Sequence, residues 1–301
     1  MGSKLDFTLA ILNGAIGDHL VATKNGLATE LACMHEGAPF PMTRAALATA
    51  LPSASAKVVL LVHGLMCTEE VWKLPDGTDY GTLLERDLGY TALRLRYNSG
   101  RAIVENGEAL ARLLEELADA YPVPIEELVL LGYSMGGLVV RSACHVGKLE
   151  DHHWLALVRR AIYVGTPHRG APLERAGKIL TRVLRAIPDP YTRLIADIVE
   201  VRSMGIKDLG EGICVRDMEH PVPLLPEIRH YLAAGSLVDD PNVALFFGDV
   251  MVPVQSATDH RIVDREGFVL PPEHVKLFPH FSHVRLAHDA LVYDQIRTWC
   301  E

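Results

Sequence analysis

The strongest pattern along the chain is an unbroken apolar run, Lys57 to Val62 (KVVLLV), stopped by His63-Gly64. A β-branched run without alternation predicts a strand covered on both faces, as in a parallel sheet. Further strands are predicted at Thr91 to Arg96 (TALRLR), Leu128 to Leu131 (LVLL), Arg160 to Val164 (RAIYV), His230 to Leu237 (HYLAAGSL) and His274 to Phe278 (HVKLF). Helical patterns lie between them. Ile103 to Tyr121 places Leu110, Leu113, Leu114 and Leu117 on one face, with Glu and Arg opposite. A shorter helix is predicted over Leu138 to Val146 and a closing one over Leu291 to Trp299. Strand and helix alternate from residue 57 to 168, which predicts right-handed βαβ units and a mostly parallel sheet, an α/β architecture.

Two stretches depart from this rhythm. Residues 1–56 precede the sheet, with a helix predicted at Phe7 to Thr23 and a strand or hairpin near Gly26 to Met34. Residues 171–228 are helical in pattern and punctuated by Pro188, Pro190, Pro221, Pro223 and Pro226, so they read as a helical cap inserted over the sheet. One domain spanning 1–301, with an N-terminal extension and a cap, is the economical organisation.

Composition narrows the function classes. Of 301 residues, 49% are hydrophobic and 22% charged, enough to bury a large core. A formal charge of −9 argues against a nucleic-acid surface. No apolar run reaches the roughly 18 residues of a membrane span. Asp6, Asn13 and Asp18 interrupt the apolar N-terminus, so no secretory leader is expected. Cys33, Cys67, Cys144, Cys214 and Cys300 are scattered without a CxxC pair, which fits neither a disulfide framework nor a zinc site. Asp151-His152-His153 reads as a surface turn rather than a metal site, because adjacent residues do not face one point. A soluble, cytoplasmic protein is expected.

The chemistry concentrates at Gly132-Tyr133-Ser134-Met135-Gly136-Gly137, a G-x-S-x-G between a predicted buried strand and a predicted helix. The glycines permit a tight turn, which leaves the Ser134 hydroxyl above the sheet at the positive end of the helix. His63-Gly64-Leu65 ends the first sheet strand. There the backbone N–H of Leu65, paired with that of Met135, could stabilise an oxyanion. The His63 side chain is expected to be structural.

With Gly165-Thr166-Pro167-His168-Arg169-Gly170 added, these motifs resemble the α/β-hydrolase superfamily, and within it bacterial lipases and GPI inositol-deacylase-like esterases. The resemblance covers about residues 57–300. It implies an α/β-hydrolase fold with the triad in the order serine, acid, histidine, and Ser134 as nucleophile. The acid it implies is Asp249, in Gly248-Asp249-Val250-Met251-Val252-Pro253, where Val250 stands in place of the usual glycine; Asp239 and Asp240 compete. The histidine it implies is His283, in Phe281-Ser282-His283-Val284-Arg285-Leu286, with His280 as runner-up and His274 and His288 as ordinary histidines.

The activity implied is a serine hydrolase acting on carboxylic esters of short to medium acyl chain through an acyl-enzyme, without metal or organic cofactor. A triacylglycerol lipase is the alternative within the class, and thioester or amide hydrolysis uses the same scaffold. A non-catalytic α/β-hydrolase-like binding protein is the alternative outside it. In the cap, Leu173, Ile179, Leu180, Val183, Leu184 and Ile187 give one apolar face, suited equally to a mobile lid over an acyl pocket and to a helix packed on the core. Arg175, Lys178, Arg182 and Arg185 would form its solvent face, open to contact with an anionic lipid interface. The expected partner is a small-molecule or lipid ester; the sequence does not specify an oligomeric state.

Overall fold

The computed structural model describes residues 4–170, 203–214, 222–236 and 270–301. Its central element is an eight-stranded sheet in the order β2-β1-β4-β3-β5-β6-β7-β8. The strands are β1 (Ala32–His35), β2 (Ala38–Pro39), β3 (Lys57–Val62), β4 (Thr91–Arg96), β5 (Glu127–Tyr133), β6 (Val158–Val164), β7 (Arg229–Ser236) and β8 (Val275–Pro279). All pairs from β4 to β8 are parallel, while β1 is antiparallel to both its neighbours. The helices are α1 (Lys4–Ala22), α2 (Arg44–Ala50), α3 (Tyr80–Leu88), α4 (Ile103–Ala120), α5 (Met135–Leu149), α6 (Met204–Glu211) and α7 (Ala290–Cys300).

The unbroken apolar strands are explained by two separate cores. Val58, Leu60 and Val62 of β3 face one, with Leu110, Leu114 and Leu117 of α4 and Leu138 and Val139 of α5. Val59 and Leu61 face the other, with Leu83 and Leu84 of α3 and Val292, Ile296 and Trp299 of α7. Successive side chains leave opposite faces of a strand, so a strand buried on both sides must be apolar at every position.

Among the described residues, the predicted strands and helices are present, with shifted ends. β5 runs on to Tyr133, and α5 begins at Met135 rather than Leu138. Gly136 and Gly137 weaken helix propensity but sit in the first turn, where close packing against the sheet outweighs it. The hairpin comes later than predicted: β1 and β2 turn through Glu36 and Gly37, both at positive φ (49° and 81°). The helix α3 adds to the predicted elements; Asp79 caps it by accepting from the Thr82 N–H, and Gly89 closes it at φ 71°. Of the predicted cap, α6 and residues 222–228 are described. The apolar stripe Leu173 to Ile187 and its basic face, Arg175 to Arg185, lie outside the described residues. No helix among the described residues is long and apolar enough to cross a membrane.

Candidate active site

Ser134 occupies the turn between β5 and α5 with φ 51° and ψ −123°, a conformation that L-residues rarely adopt. Three features hold it there. Its N–H donates to the Val164 carbonyl at 2.8 Å, its carbonyl accepts from the Gly137 N–H at 3.1 Å, and Gly136 lies so close to β3 that a Cβ would overlap the carbonyl oxygens of Val62 and His63. The serine is 7% exposed. Met135 opens α5, so its N–H has no intrahelical acceptor and lies at the positive end of the helix.

The turn after β3 lies against the serine: a Cβ on Gly64 would stand 3.1 Å from the Ser134 Cβ. The ring of His63 is buried; its Nδ1 lies 2.8 Å from the Gly64 carbonyl, and it stacks on Tyr97 at 4.4 Å. Burial pushes its pKa down to about 4, so it is neutral near pH 7, consistent with the structural role expected of it. Leu65 follows, half-buried, and its carbonyl accepts from the Cys67 thiol at 3.4 Å. Burial raises that thiol to about 12, far from the thiolate a cysteine nucleophile requires.

His283 reaches the same place from the other end of the chain. It is 2% exposed, follows β8, and packs on the Tyr133 ring at 5.1 Å while the Tyr133 hydroxyl donates to its carbonyl at 3.2 Å. Its ring lies against Gly165, where a Cβ would stand 3.0 Å from Cε1 and 3.1 Å from Nδ1. Gly165 has φ 62° and donates to the Ala233 carbonyl at 2.7 Å. The turn Val164-Gly165 therefore touches both predicted residues, the Ser134 backbone through Val164 and the His283 ring through Gly165.

The other histidines named from the sequence make different contacts. His274 packs against Tyr231 with the rings tilted and their centroids 4.2 Å apart, and His288 ends a short 3-10 turn, half-buried. His280 stands in the left-handed region at φ 61°. His168 is buried with its Nδ1 3.1 Å from Arg141 Nη1; a guanidinium only donates, so Nδ1 is the acceptor and the ring is neutral. Burial and then the Arg141 charge hold its pKa well below the ordinary value. His152 and His153 are spread apart, with His152 Nδ1 accepting from Trp154 and His153 Nδ1 2.7 Å from Glu115. Among the described residues no cluster of His, Cys, Asp or Glu could hold a metal. Asp249, Asp239 and Asp240 lie outside the described residues.

One neighbour of this site was not legible in the motifs. Ser99, in the loop after β4, accepts from the Met66 N–H at 3.0 Å and so ties down the turn that carries Leu65. The available signal was its place just beyond the carboxyl end of a parallel strand, where sites of α/β sheets gather.

A mostly parallel sheet flanked by helices on both faces, with a serine on the sharp turn from β5 into α5, is the α/β-hydrolase fold. Within it, residues 92–222 match the family described as PGAP1-like alpha/beta domain, a stretch that includes GYSMGG and GTPHRG. The chain is similar in structure to the lipase BlEst2 of Bacillus licheniformis (20% identity over 81% of this chain and 91% of that one, TM-score 0.51). It is also similar to an esterase of Pyrococcus furiosus (16%, 82% and 80%, TM-score 0.51) and to an α/β-hydrolase fold protein of Chitinophaga pinensis (13%, 83% and 90%, TM-score 0.50). No curated protein matches its sequence.

Proposed function

We propose that the protein hydrolyses carboxylic esters of short to medium acyl chain through an acyl-enzyme on Ser134. The observation that carries this reading is the shared turn: Val164 fixes the Ser134 backbone while Gly165 lies against the His283 ring. A serine hydroxyl is a weak nucleophile at neutral pH, so His283 takes its proton as the oxygen attacks the ester carbonyl. The backbone N–H groups of Leu65 and Met135 receive the developing oxyanion, a contribution of roughly 3–4 kcal/mol for each donor in comparable sites. His283 then protonates the leaving alcohol, and water hydrolyses the acyl-enzyme by the same route. Asp249 holds the imidazole in the useful tautomer, with Asp239 and Asp240 the alternatives. The similarity to an esterase and a lipase supports the choice of esters over other acyl groups. In this reading the chain is one domain, with an N-terminal extension over residues 1–56 and a helical cap inserted at 171–228.

The test is hydrolysis of p-nitrophenyl esters from butyrate to palmitate by the wild type and by Ser134→Ala. Turnover by the wild type, with the variant silent, is expected, and activity falling with chain length supports an esterase. Activity rising towards palmitate would make the protein a lipase instead. Silence of both proteins on every ester, with and without a lipid interface, would refute the reading in favour of a non-catalytic binding protein.

A further inference from the structure

The N-terminal helix α1 and the loop after β4 converge on the turn that follows β3. Met66 stands at φ 58°, left-handed backbone that a non-glycine residue holds only when its surroundings over-determine it. Two contacts do so. Its N–H donates to Ser99 Oγ at 3.0 Å, and its side chain lies against Gly14 of α1 so closely that a Cβ there would overlap the Met66 Cγ. Both partners are anchored in turn. Asn98 Nδ2 donates to the Gly17 carbonyl at 3.1 Å, the Ser203 hydroxyl donates to the Gly14 carbonyl at 2.8 Å, and Gly205 donates to the Gly100 carbonyl at 3.1 Å. Arg96, at the end of β4, pairs with Glu69 at 2.9 Å and with Asp6 of α1 at 3.3 Å. The helix α1 is thus hydrogen-bonded and ion-paired to the elements that hold this turn, from a part of the chain outside the motifs.

We propose that Ser99 and Gly14 are positioning residues for the oxyanion donor: by fixing Met66 they aim the N–H of Leu65 at the reacting carbonyl oxygen. This rests on the serine-hydrolase reading. The Leu65 N–H belongs to the Gly64–Leu65 peptide, whose carbonyl accepts from the Cys67 N–H at 3.3 Å and lies 2.8 Å from His63 Nδ1. Met66 lies inside the turn that this Gly64–Cys67 bond closes, and with its N–H engaged by Ser99 and the Leu65 carbonyl held by the Cys67 thiol the turn keeps its shape. An oxyanion donor stabilises charge only as far as it is held in place before the charge develops. Removing Ser99 Oγ frees the Leu65–Met66 peptide and loosens the turn whose first peptide carries the donor; adding a methyl group at Gly14 pushes Met66 away from α1.

The experiment measures kcat and KM for p-nitrophenyl butyrate, and Ki for an alkyl boronic acid that adds to the serine as a tetrahedral adduct, in Ser99→Ala, Gly14→Ala and Gly14→Ala/Met66→Ala. Ser99→Ala is expected to lower kcat about tenfold, less than the roughly 10²–10³-fold cost of losing a donor outright. KM stays within about twofold, and the boronate Ki rises in step with the loss of kcat. Gly14→Ala is expected to act the same way, with kcat recovering when Met66 is trimmed. A merely structural role would lower the melting temperature and the fraction of active enzyme without moving the boronate Ki of the active fraction. Unchanged kcat and Ki in both single variants, or a loss confined to KM, would overturn the proposal while the ester-hydrolase reading stands. A wild type that neither hydrolyses ester nor binds boronate would overturn both.

Discussion

Replacing Gly165 by alanine tests the link between fold and site most directly. Two costs follow from the geometry. The residue sits at φ 62°, where an L side chain is disfavoured by about 1–2 kcal/mol. The new Cβ also stands 3.0 Å from His283 Cε1 and 3.2 Å from Leu286 Cδ1, so the imidazole must retreat by a few tenths of an ångström. It has little room, because the Tyr133 ring packs on it at 5.1 Å. A displacement of 1 Å in a catalytic group can cost about 100-fold, so a shift of this size predicts a five- to tenfold fall in kcat. Thermal unfolding should drop by about 2–6 °C, as expected for that loss of stability in a chain of this size. The assay is kcat at saturating p-nitrophenyl butyrate beside a melting curve, repeated in a His283→Ala background. There the same change should cost stability and take no further activity, since the ring it displaces is gone. Wild-type kcat in a Gly165→Ala protein that melts lower would refute the claim that this turn positions the base.

His283→Ala should remove nearly all ester turnover with little loss of secondary structure by circular dichroism. Asp249→Asn should do likewise; if it retains wild-type kcat while Asp239→Asn or Asp240→Asn is inactive, the acid is assigned wrongly. Acid should destabilise the protein before its carboxylates titrate. Burial holds His63 and His230 at about 4, while their unfolded forms titrate near the ordinary value of 6.5. Their contribution is thus complete above about pH 6.5, falls as pH drops towards 4, and amounts to about 3 kcal/mol each. Urea melts at pH 7 and 4.5 should show the loss, and His63→Gln should shrink it; equal stability at the two pH values would contradict the buried neutral rings. Leu60→Ala should cost about 2–5 kcal/mol by the same urea melts, because Leu60 lies fully buried between β3 and the α4–α5 layer.

What could be read before the structure follows the range of the forces involved. Lys57–Val62 and Thr91–Arg96 were legible to the residue because burial on both faces writes itself into consecutive positions. Ser134 was legible because the turn that strains it demands glycines within two residues. His283 needed the family resemblance, since its contacts with Gly165 and Tyr133 cross more than a hundred residues and leave no local period. Ser99 and Gly14 were missed for the same reason: a hydroxyl accepting from a backbone N–H, and a missing methyl beside a methionine, have no signature in their own neighbourhoods. The helix α3 escaped because its period is short and its cap, Asp79, is a common loop residue.

The wide separation of the site's parts has a consequence for how the chain acquires them. β8 pairs only with β7 among the described strands, and it is followed at once by the loop carrying His283. That loop is tied back to the first third of the molecule by the Tyr80 hydroxyl, which donates to the Asp289 carbonyl at 2.8 Å and accepts from the Asp289 N–H at 2.9 Å. Closing a loop of some two hundred residues is entropically late in folding, so this edge docks after the strands around Ser134 have formed. During synthesis Ser134 emerges long before His283, and a ribosome-bound chain holds the turn without the proposed base. Recovery of ester turnover in a refolding experiment would therefore lag the return of helical signal, reporting the docking of the last strand rather than the collapse of the core.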